Sequence, residues 1–366
     1  MKKVKLGVIG LGYIGRCHLE NAAEIEDVEI TAVCSRRDQY CREIAARYDC
    51  RPFTDYNELL KSKVCDAVLI ATPHYCHTPI GIAALNAGCH VLMEKPISVH
   101  KADCEKLIAA HTDKGQVFGA MFQQRTMAAY RKIKEMIDSG ELGGLMRINW
   151  TITDWFRTDA YYTSGSWRAT WAGEGGGVLV NQCPHQLDLL QWLCGMPVKV
   201  NGFCSLGKYH DIEVEDEVTA YMEYSSGATG VFIASTGEAP GTNRLEICGE
   251  NGKLVLEGNA LRFTKNQVSC VQFRQTSEVP MAKPDVQEID IDVELADPKE
   301  QRAEIIKNFA NAILHGEKLI APAAEGLNSV ELANAILYSS LTAKPVRFPL
   351  DSQSYEAKLL ELINDL

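Results

Sequence analysis

In the first part of the chain, short apolar runs alternate with segments whose apolar residues recur at helical spacing. The apolar runs lie at 3–9, 28–34, 65–70, 90–93 and 116–122. The segments between them that predict helices lie at 16–24, 38–48, 54–58, 79–87 and 98–114. Apolar strands that alternate with amphipathic helices are typical of a parallel sheet covered by helices on both faces. We therefore predict an α/β domain with a doubly wound parallel sheet over residues 1–123.

The rest of the chain follows a different pattern, in which strand-like segments are closely spaced. The longest, 145–155, alternates between apolar and polar residues, and shorter segments follow at 198–206, 218–224, 228–234, 245–248 and 253–256. Strands this close together, with Gly and Asn between them, favour a large, mostly antiparallel open sheet. Patterns near 181–194, 299–314 and 325–343 predict helices that cover one face of this sheet. We predict a C-terminal α+β domain over residues 124–366.

A glycine-rich turn joins the first predicted strand to the first predicted helix. With a strand before it and a helix after it, this spacing of glycines is the fingerprint of a dinucleotide-binding site. The first glycine allows the tight turn, the second lets a pyrophosphate approach the backbone, and the third lets the helix lie close to the sheet. The helix N-terminus then presents free N–H groups to the phosphates. The residues of this turn that we expect to bind the cofactor are Gly10, Gly12, Tyr13, Ile14 and Gly15.

The residues after the second strand bear on the choice between NAD and NADP. The carboxyl end of this strand normally meets the adenosine ribose, where an acidic residue favours NAD. This chain has Ser35, Arg36 and Arg37 there, and guanidinium groups bind phosphate through paired, charge-assisted hydrogen bonds. We therefore predict NADP in preference to NAD, with these three residues at the cofactor. The alternative is that both arginines are solvated, with Asp38 neutralising one of them.

Further candidates follow the later strands of the parallel sheet, at the edge where cofactors bind. Lys95 follows a short buried strand, and Pro96 fixes the backbone just after it, so we expect the lysine to point towards the cofactor. The group His74, Cys76 and His77 resembles a metal site, but three ligands in four residues rarely converge on one ion, and we predict no metal. The cofactor-binding candidates at this edge are Ala71, Thr72, Pro73, His74, His77, Glu94, Lys95 and Gln123.

A second group of candidates lies between the long strand of the C-terminal half and the helix predicted near 181–194. The run 173–177 contains four glycines, which let the backbone pass close to packed chain or to a ligand. Asn181 and His185 are four residues apart and would share one face of a helix that begins near Asn181. Asp188 can reach the same face. By spacing alone, His185 is equally well a catalytic residue or a capped structural one.

Composition narrows the classes of protein further. The net charge is −11 and there is no long basic block, which argues against a nucleic-acid or anionic-membrane partner. No apolar run approaches the length that spans a bilayer, and the first strand begins too early for a signal peptide. The 13 cysteines are scattered without a C-x-x-C pair, which favours small buried thiols over a disulfide framework. We therefore expect a reduced, cytoplasmic protein.

Four motifs follow one another along the chain. They are the glycine fingerprint, Ala-Thr-Pro-x-x-x-His from Ala71, Glu-Lys-Pro from Glu94, and Gly-Gly-Gly-x-Leu-x-Asn-x-x-x-His-x-x-Asp from Gly175. With this combination the chain resembles the glucose–fructose oxidoreductase / inositol dehydrogenase / rhizopine-catabolism (Gfo/Idh/MocA) family over essentially its whole length. The resemblance implies an N-terminal Rossmann domain and a C-terminal domain with an open sheet. One side of that sheet supplies the substrate pocket, and the other often forms the interface of a homodimer or homotetramer.

The resemblance also implies roles for single residues. By it, Lys95 and His185 are catalytic, and Trp167 and Arg168 correspond to a recurrent pair near the substrate. Most members have an aspartate where this chain has Asn181. An asparagine can orient an imidazole or a substrate hydroxyl, but it supplies no negative charge to an imidazolium or an ammonium group. We include Asn181 among the catalytic candidates, and the sequence does not determine the path by which the hydroxyl proton leaves the site.

Together these observations predict hydride transfer between a nicotinamide cofactor and a secondary hydroxyl of a sugar or cyclic polyol. The cofactor carries the hydride, His185 exchanges the hydroxyl proton, and Lys95 stabilises the developing alkoxide. Two alternatives stay open: redox-neutral cleavage of a glycoside with tightly bound NAD, and a non-catalytic sensor or regulator. The substrate-binding candidates are Lys95, Arg125, Trp155, Trp167, Arg168, Asn181 and His185, followed by Gln123, Asp154, Tyr161, Tyr162 and His210. The alternative for the aromatic and polar candidates is sheet packing or surface exposure, and for His210 we favour that alternative.

Overall fold

The apolar runs of the sequence become strands of two sheets in the computed structural model, which describes residues 2–294 and 297–365. The strands of the first sheet are β1 (Val4–Ile9), β2 (Val28–Cys34), β3 (Arg51–Phe53), β4 (Ala67–Ile70), β5 (His90–Met93) and β6 (Phe118–Ala120). Those of the second sheet are β7 (Leu145–Ile152), β8 (Lys199–Leu206), β9 (Glu215–Glu223), β10 (Thr229–Ser235), β11 (Asn243–Gly249), β12 (Gly252–Glu257), β13 (Ala260–Asn266), β14 (Val286–Ile291) and β15 (Val346–Arg347).

Helices connect and cover these strands. They are α1 (Tyr13–Ala23), α2 (Asp38–Arg47), α3 (Tyr56–Ser62), α4 (His77–Asn86), α5 (Lys101–Ala109), α6 (Ala128–Asp138), α7 (Asp159–Tyr162), α8 (Pro184–Cys194), α9 (Cys270–Thr276), α10 (Pro298–His315), α11 (Gly326–Thr342) and α12 (Ser352–Asn364). Single 3₁₀ turns lie at His74–Cys76, Gln123–Thr126 and Ala323–Glu325. Within the described residues, no helix combines the length and the apolar character needed to cross a membrane.

The chain divides into two units, and it returns to the first one late in the sequence. One unit is Met1–Thr126 with Ala296–Val330, and the other is Met127–Leu295 with Glu331–Leu366. The first change of unit lies close to the predicted boundary after residue 123. The return segment differs from the sequence analysis, which assigned all residues after 123 to the C-terminal domain.

The first sheet is parallel throughout its described strands, as predicted. Its order is β3-β2-β1-β4-β5-β6, with each neighbouring pair in parallel register. The chain runs outwards in both directions from the centre of this sheet, so the connections after β1 and β4 diverge at their carboxyl ends. Such a divergence opens the crevice in which doubly wound folds bind ligands. The edge strand β3 was not predicted, because its three residues include a proline and form no apolar run.

The second sheet is mixed and mostly antiparallel, which confirms the predicted fold class. Its order is β14-β13-β12-β11-β7-β10-β9-β8-β15. Within the described part of the chain, β7 and β10 pair in parallel, while the other neighbouring strands pair in antiparallel register. The alternation in β7 buries Ile148, Trp150 and Ile152, and the Trp150 ring contacts the rings of Tyr130 and Phe232.

Helix α11 lies across β8 in close contact, as the prediction of a helix on this sheet requires. A Cβ on Gly202 would lie 2.0 Å from the Ile336 carbonyl oxygen, so the glycine in β8 lets the helix approach. The backbone N–H of Gly202 donates to Ser339 Oγ at 3.0 Å, and that of Cys204 donates to Ser340 Oγ at 2.8 Å. Two hydroxyls of the helix therefore satisfy backbone donors of the strand.

Helix α10 belongs to the first unit, and the prediction that it covers the second sheet is wrong. Its residues Ile305 and Phe309 are buried in one cluster with Leu6 of β1, Leu19 of α1 and Met121. The helical spacing of apolar residues near 299–314 identified the helix and its apolar face. It carried no information on which sheet the face packs against, because both sheets offer a similar apolar surface.

Arg125 attaches the return segment to the end of the first sheet. Its side chain is only 1% exposed, and Nη1 lies 2.5 Å from Oε2 of Glu325 and 3.2 Å from the Ile320 carbonyl oxygen. The predicted role of Arg125 in substrate binding is therefore corrected, because its charge is already neutralised by an internal ion pair.

All 13 cysteines are free thiols, in line with the predicted absence of a disulfide framework. Burial raises the pKa of the Cys34 thiol to about 12 and that of Cys50 to about 11. These thiols stay protonated at neutral pH, because the thiolate is disfavoured in apolar surroundings.

The Arg125–Glu325 pair predicts a measurable loss of stability in Glu325→Gln. The substitution removes the carboxylate that lies 2.5 Å from the buried guanidinium, which we expect to lower the free energy of unfolding by about 2 kcal/mol. Urea denaturation followed by circular dichroism measures this. Glu361→Gln removes the exposed i,i+3 partner of Lys358 and serves as the control, with an expected effect under about 0.5 kcal/mol. Equal losses in the two variants would contradict an anchoring role for Arg125.

Candidate active site

Two glycines of the glycine-rich turn are required by close backbone packing. Gly10 has a φ of +99°, and a Cβ on it would lie 2.4 Å from the Ala71 carbonyl oxygen. A Cβ on Gly15 would lie 1.9 Å from the carbonyl oxygen of Gly10. The missing side chains let α1 start directly beside the ends of β1 and β4. These are the packing roles expected from the fingerprint.

Gly12 leaves space at the start of α1. It is the N-cap residue, with an ordinary φ of −67°, and, apart from its chain neighbours, none of the described residues comes within 4 Å of where its Cβ would be. No side chain caps this helix, and its first turn contains no acidic residue. Uncapped N–H groups beside an open space fit the phosphates of a dinucleotide. Tyr13, which follows, exposes 78% of its surface.

The segment after β2 carries two arginines without acidic partners. The Asp38 carboxylate is bound by Arg42, one helical turn later, at 3.0 Å. Across residues 2–294 and 297–365, no carboxylate lies within ion-pair distance of Arg36 or Arg37. The Arg37 guanidinium stacks 4.3 Å from the Tyr40 ring centre and reaches to 3.5 Å from the Leu11 carbonyl oxygen, beside the glycine-rich turn. The alternative in which Asp38 neutralises one of these arginines therefore loses its support.

Two polar atoms at this edge of the sheet are buried without a hydrogen-bond partner in the described structure. They are Oγ1 of Thr72, which follows β4, and Oε1 of Gln123, which follows β6. A buried polar atom left unpaired costs about 1–3 kcal/mol. A ligand that supplies the missing donor or acceptor is favoured at both positions. Both residues were predicted to bind the cofactor, and their unmet hydrogen bonds fit that role.

His77 connects two strand ends and leaves no ring nitrogen for a ligand. Its Nδ1 lies 2.8 Å from the Pro96 carbonyl oxygen, and its Nε2 lies 2.8 Å from that of Thr72. The ring is 1% exposed, and burial lowers the pKa of His77. His77 therefore supports the cofactor edge from inside, in place of the predicted direct contact with the cofactor. The His74 ring lies next to it, with 6.0 Å between the two ring centres.

Glu94 also acts within the protein. Its Oε1 lies 2.7 Å from Nε2 of His18 on α1, and its Oε2 accepts a hydrogen bond from the backbone N–H of Lys95 at 2.8 Å. Glu94 and His18 are 6% and 0% exposed. The carboxylate thus fixes the backbone that carries Lys95 to the helix that follows the glycine-rich turn. His18 was missed by the sequence analysis, since a histidine on a helix face carries no sign of a partner 76 residues away.

In the second unit, α8 begins at Pro184, so Asn181 lies in the turn before the helix. The prediction that Asn181 and His185 share a helical face is therefore wrong. The physical reason is Pro184, because proline favours the first helical position and disfavours helical backbone in the residue before it. The Asn181 side-chain amide donates instead to the Glu174 carboxylate.

Glu174 places a negative charge beside the uncharged Asn181. It is 2% exposed, and its Oε2 also accepts a hydrogen bond from the backbone N–H of Ala169 at 2.7 Å. The charge that an aspartate would bring to position 181 is thus present in the hydrogen-bond partner of Asn181. Sequence reasoning missed Glu174, because a single acid inside a glycine run gives no sign of its partner.

His185 and Asp188 lie on the first turns of α8. His185 is 6% exposed and Asp188 is 1% exposed. Oδ1 of Asp188 accepts a hydrogen bond from Nε2 of Gln191, one turn further along the helix, at 3.1 Å. This hydrogen bond joins the Asp188 side chain to the next turn of α8.

The glycine run before α8 wraps around a fully buried acid, Glu215. Both carboxylate oxygens lie 2.9 Å from the backbone N of Gly177, and Oε1 lies 3.0 Å from that of Leu179. A Cβ on Gly177 would lie 2.0 Å from the Glu215 carbonyl oxygen, so the glycine allows this approach. Burial raises the pKa of Glu215 to about 7, and the nearby Glu174 adds to this effect.

Four of the predicted substrate-binding residues of the second unit lie close together, namely Trp155, Tyr161, Trp167 and Arg168. Arg168 stacks on the rings of Trp167 and Tyr161 at 4.5 Å each, and Arg157 stacks on Trp155 at 5.2 Å. Arg157 was missed by the sequence analysis, although it lies two residues after Trp155 on the same segment. We call Trp155, Arg157, Tyr161, Trp167 and Arg168 the arginine–aromatic cluster.

His210 and Tyr162 have internal partners. The His210 ring lies 3.0 Å from Asp216 through Nδ1 and 3.0 Å from the Arg157 carbonyl oxygen through Nε2. The Tyr162 hydroxyl lies 2.8 Å from Thr236 Oγ1. These contacts favour structural roles over contacts with a substrate.

Gly12 and Gly15 form a matched pair for testing the glycine-rich turn. Gly12→Val places a side chain in the open space, so we expect normal folding with at least tenfold weaker NADH binding. Gly15→Ala places a methyl group 1.9 Å from a carbonyl oxygen, so we expect a lower melting temperature. NADH fluorescence titration and thermal unfolding measure the two effects. Tight NADH binding by Gly12→Val would show that phosphates do not bind here.

Individual proteins resemble this chain along much of its length. It is 27% identical over 260 residues to the myo-inositol 2-dehydrogenase of Thermotoga maritima, covering 69% of this chain and 74% of that protein. It is 29% identical over 262 residues to the scyllo-inositol 2-dehydrogenase (NADP(+)) IolU of Bacillus subtilis, covering 69% and 76%. The crystal structure of the WlbA dehydrogenase of Bordetella pertussis, in complex with NADH and UDP-GlcNAcA, matches with a TM-score of 0.80 at 25% identity, covering 96% of this chain and 100% of that one.

Family profiles match both units. The profile of the oxidoreductase family with an NAD-binding Rossmann fold matches residues 4–122, which include the glycine-rich turn and Lys95. The profile of the GFO/IDH/MocA C-terminal domain matches residues 130–255, which include Asn181 and His185. The chain therefore belongs to the GFO/IDH/MocA family of oxidoreductases, with an NAD-binding Rossmann fold in its N-terminal part.

Proposed function

We propose that this protein transfers a hydride between a nicotinamide cofactor and a secondary hydroxyl or ketone of a sugar or cyclic polyol. The observation that carries the proposal is the uncapped start of α1 at Gly12. It lies at the carboxyl edge of the same parallel sheet in which Lys95 follows β5. A phosphate site and an amine at one edge suit hydride exchange with an alcohol, in which the oxygen needs a positive partner.

The substrate class is supported by two lines of reasoning. Two relatives are named as dehydrogenases of myo-inositol and scyllo-inositol, which are cyclic polyols. The arginine–aromatic cluster offers aromatic faces and several N–H donors, which suit the apolar faces and the hydroxyl groups of a carbohydrate.

When bound, the nicotinamide accepts or supplies the hydride at its C4 atom. The Lys95 ammonium donates a hydrogen bond to the alcohol oxygen and stabilises its negative charge as the O–H bond breaks. His185 takes the hydroxyl proton during oxidation and returns it during reduction. Asn181, held by Glu174, orients His185 or the substrate hydroxyl.

Replacement of Lys95 or His185 tests this assignment. We expect Lys95→Ala and His185→Ala each to lower kcat for a confirmed sugar or polyol by about 100-fold or more, because each removes one partner of the reacting hydroxyl. We also expect His185→Ala to lose the acidic limb of the pH–rate profile for oxidation, since the base must be unprotonated. Steady-state kinetics across pH measure both effects.

The control is Lys132→Ala, whose side chain pairs with Glu135 on α6 and which we expect to retain normal turnover. Near-normal turnover in Lys95→Ala or His185→Ala would remove that residue from the mechanism. A redox-neutral product with no free NAD(P)H would replace the dehydrogenase proposal with glycoside cleavage.

NADP is the preferred cofactor in this proposal. Ser35, Arg36 and Arg37 follow β2, and neither arginine has an acidic partner in the described structure. Arg37 lies beside Leu11 of the glycine-rich turn. Two guanidinium groups without acidic partners, of which Arg37 lies beside the turn, favour the additional 2′-phosphate of NADP.

The ratio of kcat/KM for NADP to that for NAD measures this preference. We expect Arg36→Gln combined with Arg37→Gln to lower the ratio at least tenfold, because charge-assisted hydrogen bonds to the 2′-phosphate are lost. The matched control is Arg42→Gln on α2, the helix that follows Arg37. Arg42 is paired with Asp38, and its replacement should leave the ratio unchanged. A wild-type preference for NAD would overturn the proposal.

A further inference from the structure

The arginine–aromatic cluster combines two positive charges around one ring. Arg157 lies 5.0 Å and Arg168 lies 4.5 Å from the centre of the Tyr161 ring. Each arginine also stacks on a tryptophan, Arg157 on Trp155 and Arg168 on Trp167. Cation–π contacts offset part of the desolvation of each guanidinium. They do not remove the repulsion between two like charges that share a ring.

Neutral groups are the hydrogen-bond partners of both guanidinium groups. Nη1 of Arg157 donates to the carbonyl oxygen of Phe156 at 2.9 Å and to that of Trp155 at 3.4 Å. Arg168 donates from Nη1 to the Tyr161 hydroxyl at 2.9 Å and from Nε to Ser164 Oγ at 3.1 Å. In the part of the chain that the structure describes, no carboxylate comes within ion-pair distance of either arginine.

Other arginines of the same unit show the contrast. Arg147 pairs with Glu246 at 2.8 Å, Arg244 with Glu257 at 2.5 Å, and Arg262 with Asp290 at 2.7 Å. The chain carries a net charge of −11, so carboxylates are abundant. Arg274 and Arg347 also lack a carboxylate partner among the described residues, but both are exposed to solvent. Arg157 and Arg168 lack one there although they are only partly exposed.

Two donors of the cluster are buried and unused. Nε of Arg157 and Nε1 of Trp155 have no hydrogen-bond partner in the described structure. Each unpaired buried donor is costly, and more so when the group is charged. A ligand that supplies hydrogen-bond acceptors would therefore be stabilised at Arg157 Nε and Trp155 Nε1, because the described residues supply none.

The cluster is connected to the turn that precedes His185. The Tyr161 hydroxyl, which accepts from Arg168, also lies 3.3 Å from Nε2 of Gln182. Gln182 follows Asn181 directly and comes three residues before His185. The cluster itself therefore contacts the segment that leads to the proposed base.

We propose that the arginine–aromatic cluster binds an anionic group of the substrate, so that the substrate is a carbohydrate carrying a carboxylate or a phosphate. This proposal rests on the proposed function and narrows its substrate class from neutral sugars and polyols to acidic ones. A carboxylate or phosphate oxygen accepts from Arg157 Nε and neutralises the two guanidinium groups. A neutral sugar would supply acceptors but leave both charges uncompensated.

Matched pairs of sugars test the proposal. The acidic probes are D-glucuronate, D-galacturonate, D-gluconate and D-glucose 6-phosphate, and the neutral ones are D-glucose, D-galactose and D-glucitol. We expect kcat/KM for at least one acidic probe to exceed that of its neutral counterpart at least tenfold. Carboxylate and phosphate probes distinguish the two sources of the anion. The preference should weaken as salt is added, because the contact is ionic.

Variants assign the preference to the cluster. Arg157→Gln and Arg168→Gln should each lower the acidic-to-neutral ratio about tenfold. Arg168→Lys, which keeps the charge, should retain more of the ratio than Arg168→Gln. The matched control is Arg262→Gln on β13, which should leave the ratio unchanged. Quenching of tryptophan fluorescence by the same acidic probes reports binding independently of turnover.

The outcomes separate this proposal from the proposed function. Equal turnover of acidic and neutral sugars in the wild type would overturn the anionic substrate and leave the dehydrogenase standing. Quenching by an acidic probe that depends on the arginines, without turnover of any sugar, would support the cluster and overturn the dehydrogenase. An absence of both turnover and quenching with every acidic probe would overturn the proposal.

Discussion

The close approach between the start of α1 and the end of β1 is the constraint on which the cofactor edge depends. The space that a Cβ of Gly15 would need is filled by the carbonyl oxygen of Gly10, and the space beside Gly10 is filled by Ala71. With these contacts made, the helix N-terminus points its free N–H groups past Gly12. The same edge then collects Thr72, after β4, and Lys95, after β5, because parallel strands all end on one side of a sheet.

Buried carboxylates hold the segments that carry the candidate catalytic residues. Glu94 binds the backbone of Lys95, Glu174 binds Ala169 and Asn181, and Glu215 binds the glycine run before α8. Each of these acids accepts backbone N–H groups that loops cannot satisfy by themselves. The loops are therefore fixed without regular secondary structure. The raised pKa of Glu215 shows that burial opposes its ionised form even with several donors present.

Charge is distributed unevenly in this acidic protein. On the second sheet, Arg147, Arg244 and Arg262 lie opposite carboxylates on neighbouring strands and are neutralised. The pair after β2 and the pair in the arginine–aromatic cluster have no such partners in the described structure. A guanidinium group without a carboxylate partner in the protein is stabilised when an anionic ligand binds to it. The same physical reason, an arginine pair without carboxylate partners, therefore underlies both the proposed preference for NADP and the proposed anionic substrate.

The sequence by itself determined the local features. Apolar runs and helical spacing identified the parallel sheet, most strands of the second sheet and the helices α8, α10 and α11, because these patterns depend on neighbouring residues. The glycine-rich turn could also be predicted, because the backbone angle φ of a residue and the clashes of its Cβ depend mainly on nearby residues. The strands β13 and β14 escaped prediction because their charged, exposed residues mask the apolar alternation.

Only the tertiary structure decided which helices, strands and charged side chains contact one another. It placed α10 in the first unit and bound Arg125 to Glu325, 200 residues away. It also paired Glu94 with His18 and placed the Glu174 carboxylate next to the Asn181 side chain. The physical reason is that an ion pair or a packed helix face depends on which surfaces meet in space. Spacing along the chain records which side chains share a surface, but not the surface that they meet.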